Sequence, residues 1–247
     1  MSRNNSGENK VIGKKLIYVP HDQRGVFLER VNRFLGRVEI NGREEYAHIH
    51  DPGRLEEILY PGNRVLLRKA KARNRKTKWD IIAGYVDDKL VFIHSGYHRK
   101  IAEKIILDEE ISPLGKVLEL KAEVRYGKSR LDFMVLCENS EIWVEVKGCT
   151  LAKNGIALFP DAPTVRGRRH LEELISISKN KSSAVIFLIF REDARCFAPN
   201  EETDPEFAET FKKAMKFVSV YPILLRYDGE WIYYVKEIPI CNIISHT

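Results

Sequence analysis

Leu131-Asp132-Phe133-Met134-Val135-Leu136-Cys137, a polar break at 138–140, and then Ile142-Trp143-Val144-Glu145-Val146-Lys147 form the stretch on which the fold turns. Two runs rich in branched and aromatic residues around a short polar turn predict an antiparallel hairpin. Side chains two apart on a strand share a face, so Glu145 and Lys147 emerge together. Setting an acid and an ammonium among Trp143, Val144 and Val146 is costly unless the two pair or bind something.

That arrangement suits phosphodiester hydrolysis. A divalent ion offsets phosphate charge and acidifies a water, and Mg²⁺ takes a few hard oxygen ligands. Asp132 and Glu145 offer two carboxylates and the Val146 carbonyl a third oxygen. Lys147 is placed to orient or deprotonate the water, or to stabilise charge developing on phosphorus. The plainer alternative is a structural Glu–Lys pair at a strand end, since an E-x-K triplet is common.

Downstream of the hairpin, helices alternate with strands. Thr164 to Ser178 carries an apolar stripe of Leu171, Leu174, Ile175 and Ile177. Ala184 to Phe190 is apolar throughout, as in a strand buried on both faces. Asp204-Pro205 opens another helix, and two strands close the chain. This part reads as an α/β sheet. Upstream, short strands follow one another from Lys15 to Ile93. Asn41-Gly42 is a type I′ hairpin signal, and Asp51-Pro52-Gly53, Pro61-Gly62 and Asp87-Asp88 mark turns. Such spacing predicts a small β-barrel or sandwich. Tyr97 to Glu110 has helical spacing and marks the boundary. The expected divisions are a flexible tail at 1–14, a β-domain at 15–95 and an α/β domain at 96–247.

The 247 residues carry a formal charge of +6. No apolar run approaches the roughly 18 residues of a membrane span, and residues 1–10 lack the apolar core of a secretory signal. Cys137, Cys149, Cys196 and Cys241 show no CxxC spacing, so neither a zinc ribbon nor a redox pair is indicated, and a reduced, cytoplasmic setting is expected. The charge is concentrated. Arg64, Arg68, Lys69, Lys71, Arg73, Arg75, Lys76 and Lys78 fall within fifteen positions containing no acid. A loop with that charge is expected to project into solvent and contact phosphates, with Trp79 and Tyr85 near enough to stack on bases and Arg33 and Arg37 extending the surface. The alternative is a solubilising loop. His48 and His50, and His94 and His98, lack an evident third ligand and read as ordinary surface or turn residues.

Several runs together resemble the sugar fermentation stimulation protein family: Glu123-Val124-x-Tyr126-Gly127, Arg130-Leu131-Asp132-Phe133, Glu145-Val146-Lys147, and Phe159-Pro160-Asp161-Ala162-x-Thr164-x-Arg166-Gly167-x-x-His170-Leu171. The resemblance extends from Arg30-Val31-Asn32-Arg33-Phe34 to the last strands. It implies an OB-fold domain, at 15–95, followed by a PD-(D/E)XK nuclease-like mixed-sheet α/β domain, at 96–247, in a DNA-binding protein. The PD-(D/E)XK pattern falls on Asp132, Glu145 and Lys147, with Leu131 where the motif's proline would stand. The resemblance also makes Asp161, Arg166 and His170 site residues, and Glu123 an additional acid. Read without it, Thr164 is a helix N-cap and Arg166 and His170 share a helical face, either to meet a phosphate or as a solvated basic face beside Arg168 and Arg169. The expected function is DNA binding with Mg²⁺- or Mn²⁺-dependent nuclease activity. The alternative is a non-catalytic, regulatory DNA-binding protein that keeps the nuclease fold. RNA as the ligand and a dimeric state both stay open.

Overall fold

Asn41 and Gly42 both take positive φ, 52° and 74°, as a two-residue type I′ turn requires. They join two strands in a computed structural model that describes residues 13–70, 75–127 and 129–242. The first half contains β1 (Lys14–Tyr18), β2 (Gln23–Asn32), β3 (Leu35–Ile40), β4 (Arg43–Ile49), β5 (Arg64–Lys69), β6 (Trp79–Val86) and β7 (Lys89–Phe92). β2, β3 and β4 run as a meander, β5 returns beside β2, and β6 pairs with β5. A parallel pairing of β4 with β6, His48 opposite Asp80, closes a five-stranded barrel.

The second half contains α1 (His98–Ile106), β8 (Val117–Tyr126), β9 (Ser129–Cys137), β10 (Glu141–Cys149), β11 (Leu151–Lys153), β12 (Ile156–Phe159), α2 (Val165–Ile177), β13 (Ser182–Ile189), β14 (Cys196–Pro199), α3 (Pro205–Ala214), β15 (Ser219–Tyr227) and β16 (Trp231–Glu237). A seven-stranded mixed sheet has the order β1-β16-β15-β13-β10-β9-β8, and β11, β12 and β14 form a small second sheet. β13 sits in the middle. Ala184, Ile186 and Leu188 pack in a core shared with the barrel and α1, while Val185, Phe187 and Ile189 pack with α2 and α3. The period-two alternation of one apolar strand therefore separates the two layers that sandwich the sheet.

Three expectations need correction. Lys15 to Val19, placed in the barrel by its position in the chain, instead supplies the edge strand β1, paired antiparallel with β16. Local alternation makes a strand but does not say which sheet edge it joins. Lys14, assigned to the flexible tail, belongs to that strand and reaches Asp108 and Glu110 at 2.6 Å each; residues 1–12 of the tail lie outside the described residues. Nor are all four cysteines reduced. Cys196 and Cys241 are disulfide-bonded, whereas Cys137 and Cys149 are free and buried. The parallel bridge of Phe197 to Ile240 brings the bonded pair together across 45 residues, a distance at which spacing is uninformative. Among the described residues no helix is long and apolar enough to cross a membrane.

Candidate active site

β9 and β10 pair up to Phe133 opposite Val144. Beyond that point the N–H of Val146 donates to Asp132 Oδ2 at 2.7 Å, so a carboxylate takes over where the ladder stops. Glu145 shares the face of Trp143, which packs in the α2–α3 layer, and is only 3% exposed. Its Oε1 accepts from Lys147 Nζ at 2.5 Å and from Nδ1 of His170, which is buried on α2. His170 Nε2 in turn accepts from Arg166 Nε at 3.5 Å, which fixes the tautomer that donates from Nδ1. The other oxygen of Glu145, Oε2, is buried and has no hydrogen-bond partner among the described residues.

The electrostatics separate the two acids. Burial opposes ionisation of Glu145, but Lys147 and His170 outweigh it and hold the carboxyl below its ordinary range. Burial and the neighbouring Glu145 charge push Asp132 up to about 6. Two carboxylates close enough to repel, one with an unpartnered buried oxygen, form a donor set that fits a hard divalent cation.

These groups line a cleft of about 380 Å³ shared by both halves of the molecule. From the second half come Asp132, Glu145, Val146, Lys147, the 159–164 loop and Arg166; from the first come Arg33 and the 51–53 turn. Thr164 caps α2, accepting from Gly167 N at 3.0 Å, and its own N–H donates to Asp204 at 2.8 Å. Asp204 caps α3, so the 159–164 loop is pinned from both helices. Asp161 leaves this loop toward the barrel, where burial pushes its carboxyl up and the backbone at Leu55 and Arg54 partly offsets this. A Cβ at Gly53 would overlap that carboxylate, so only glycine lets the two halves approach this closely. Arg30 ties the same turn down through the carbonyls of Gly53 at 2.7 Å and Arg54 at 2.5 Å. Asp161 is thus a strut of the cleft wall.

Some expected residues are not brought here. Glu123 sits on an exposed β8 irregularity at φ 56°, bonded to Arg99 at 2.6 Å and Arg130 at 3.1 Å, and does not line the cleft. The basic arm is only partly free for a ligand. Arg64 lies over the Tyr85 ring at 4.3 Å, Arg68 donates to Tyr97 Oη at 2.6 Å, and Arg75 donates to Asp80 at 2.6 Å. Lys69, Lys76 and Lys78 are exposed; Lys71 and Arg73 lie outside the described residues. Trp79 is held between β4 and β5 against the barrel core and is not an open stacking platform. Arg37 pairs with Glu29 and Glu44. Conversely, Asp51, Gly53 and Ser95 border the cleft without having stood out as site residues, and so does His98, expected from the sequence to be an ordinary surface or turn residue. The turn signal at Asp51-Pro52-Gly53 marked the bend but not its neighbour.

The model of the Sugar fermentation stimulation protein RE domain matches residues 96–231, and that of the SfsA N-terminal OB domain matches residues 28–93. The chain belongs to the sugar fermentation stimulation protein family. The family's homolog from Methanococcoides burtonii is 47% identical over 232 residues, covering 91% of this chain and 94% of that one. The homolog from Thermotoga neapolitana is 45% identical, covering 91% and 97%. The solved structure of Pyrococcus furiosus SfsA in complex with Ca²⁺ superposes with a TM-score of 0.82 at 33% identity, covering 92% of this chain and 98% of that one. The family's OB domain is the closed barrel described above, followed by the mixed-sheet α/β domain.

Proposed function

We propose that this member of the family is a nucleic-acid-binding protein that hydrolyses phosphodiesters at Asp132, Glu145 and Lys147 with Mg²⁺ or Mn²⁺, with DNA as the preferred ligand and the cytoplasm as its place of action. The observation that carries the reading is the buried, unpartnered Oε2 of Glu145, a residue that lines the cleft together with Asp132 and Lys147. The Ca²⁺ held by the Pyrococcus relative supports it, because Ca²⁺ shares the preference of Mg²⁺ for oxygen ligands.

Asp132 and Glu145 would hold the ion, with the Val146 carbonyl as a further oxygen. Held there, such an ion would supply positive charge against the phosphate and would lower the pKa of a water. Lys147 is placed to orient that water or to neutralise charge developing on the phosphate oxygens. His170 keeps Glu145 ionised and correctly turned, and is a positioning residue. Arg33 and Arg166, both lining the cleft, would supply phosphate contacts, and Lys69, Lys76 and Lys78 would extend the basic surface.

Plasmid DNA, single-stranded DNA and RNA should be incubated with the full chain in Mg²⁺, in Mn²⁺ and in chelator. Metal-dependent cleavage lost in Asp132→Asn, Glu145→Gln and Lys147→Ala is the expected result. Absence of cleavage on every substrate, or cleavage that survives those changes, sinks the catalytic reading and leaves a regulatory DNA binder.

A further inference from the structure

The seam that closes the barrel brings together three donors that the cleft chemistry does not use. His50 follows β4, Asp80 lies on β6, and His94 follows β7. One ligand atom from each lies within 4.8 Å of the others. His50 Nε2 stands 3.1 Å from Asp80 Oδ1, near enough for an ion pair but not aligned as a hydrogen bond. His94 Nδ1 is buried and has no hydrogen-bond partner among the described residues. One buried imidazole nitrogen of the cluster, His94 Nδ1, therefore lacks the partner that buried polar atoms normally have, while His50 Nε2 faces the Asp80 carboxylate.

We propose that His50, Asp80 and His94 form a second cation site, for a divalent transition ion of the Zn²⁺ type, that clamps the barrel seam. The donor chemistry separates it from the cleft. Two imidazoles and one carboxylate favour Zn²⁺ and its neighbours, whereas an all-oxygen set favours Mg²⁺ or Ca²⁺.

The geometry states what binding requires. Donors on a tetrahedral ion stand roughly 3.3 Å apart at ordinary Zn–N distances, so these three, within 4.8 Å of one another, must draw closer. The His50 and His94 rings are stacked 3.6 Å apart at 14°, and one must rotate for both lone pairs to meet a single ion. Arg75, bonded to Asp80 at 2.6 Å, competes for the carboxylate in the metal-free protein. Because the ligands come from β6 and from just past the ends of β4 and β7, and the pairing of β4 with β6 is the closing one, an ion held here ties the ring shut.

Chelator-stripped full-length protein should be titrated with Co²⁺ alone and followed by its visible absorption, then competed with Zn²⁺. One equivalent giving a tetrahedral spectrum, displaced by Zn²⁺ and retained in Glu145→Gln, is expected. His94→Gln should weaken it by at least roughly 100-fold, and Arg75→Met should tighten it by freeing Asp80. The Arg75 variant keeps the test informative if the histidine variant fails to fold. Absence of tetrahedral Co²⁺ binding, its loss in Glu145→Gln, or an affinity indifferent to Arg75 would overturn the site and leave a hydrogen-bonded histidine cluster.

Discussion

The cleft and the barrel seam each gather acids and histidines, yet they are built in opposite ways. In the cleft, neighbouring residues of a single hairpin supply the chemistry: Asp132 and Glu145 flank the point where β9 and β10 part, and Lys147 is two positions on. At the seam, residues 50, 80 and 94 meet only because β4 pairs with β6. Histidine also does different work in the two places. His170 has Glu145 on one nitrogen and Arg166 on the other, so it can orient an acid but offers no open lone pair. His94 keeps an unpartnered nitrogen. The number of partners on a ring, more than its presence, decides whether it positions or ligates.

The contrast can be broken most forcefully at Glu145. Replacing Glu145 with Gln preserves shape but removes the charge, and cleavage is expected to fall by about 10²–10³-fold or more with nucleic-acid binding intact. A parallel loss of binding would mean the cleft holds substrate through this acid. Next in size is the joint between the halves. Gly53→Val would drive a side chain into the Asp161 carboxylate and should cost about 1–3 kcal/mol in denaturant unfolding. An unaffected midpoint would show that the barrel loop is not held against the 159–164 loop.

A pH series sharpens the picture. The folded pKa of Asp132, about 6, lies above its ordinary 3.8. Between those values the folded state keeps a proton that the unfolded chain has lost, so this group lowers stability as pH rises from about 4 to 6. A cation between the carboxylates reverses that penalty. The gain in melting temperature from Mn²⁺ should therefore grow as pH passes about 6 and vanish in Asp132→Asn. Asp51 is pushed to about 6 chiefly by burial, so Asp51→Asn should relieve a similar slope but leave the Mn²⁺ gain in place. A Mn²⁺ effect equal at pH 5 and pH 8 would count against ion binding by Asp132.

Smaller effects separate the basic surface from both sites. Neutralising Lys69, Lys76 and Lys78 together should reduce the salt slope of DNA binding by about 0.9 for each phosphate that is no longer neutralised, without altering the cleavage rate at saturating DNA. An unchanged slope would remove these lysines from the interface. The smallest effect is expected at Glu123. Its bridges to Arg99 and Arg130 are half-exposed, so Glu123→Gln should shift stability by no more than about 1 kcal/mol and leave cleavage unchanged. A large loss of activity would return Glu123 to the site from which its geometry separates it.

Much of the molecule was legible as local pattern. The Asn41-Gly42 turn, the apolar run 184–190 and the Thr164 and Asp204 caps are found where residue type and spacing put them, because each depends on neighbours in the chain. The pairing of Glu145 with Lys147 was legible for the same reason, since the two-residue period of a strand is a property of the backbone. Glu123 misled because its run resembled a motif while its carboxylate was taken by two arginines from other elements. For the basic arm, counting charges along a segment says nothing of Asp80, Asp88 or Tyr97, which engage three of them.

Residue order thus specified most of the strands, though not β11, β12 and β14 of the small sheet, together with the helix starts, the two-part plan and the three side chains on which the proposed chemistry rests. Folding in three dimensions settled which sheet β1 joins, which oxygen of Glu145 stays unpartnered, how Asp161 locks onto the turn at Gly53, and that His50, Asp80 and His94 meet at all. The reason is range: backbone periodicity and caps act over a few residues, whereas a partner's identity depends on packing between segments tens of residues apart, where no local preference reaches.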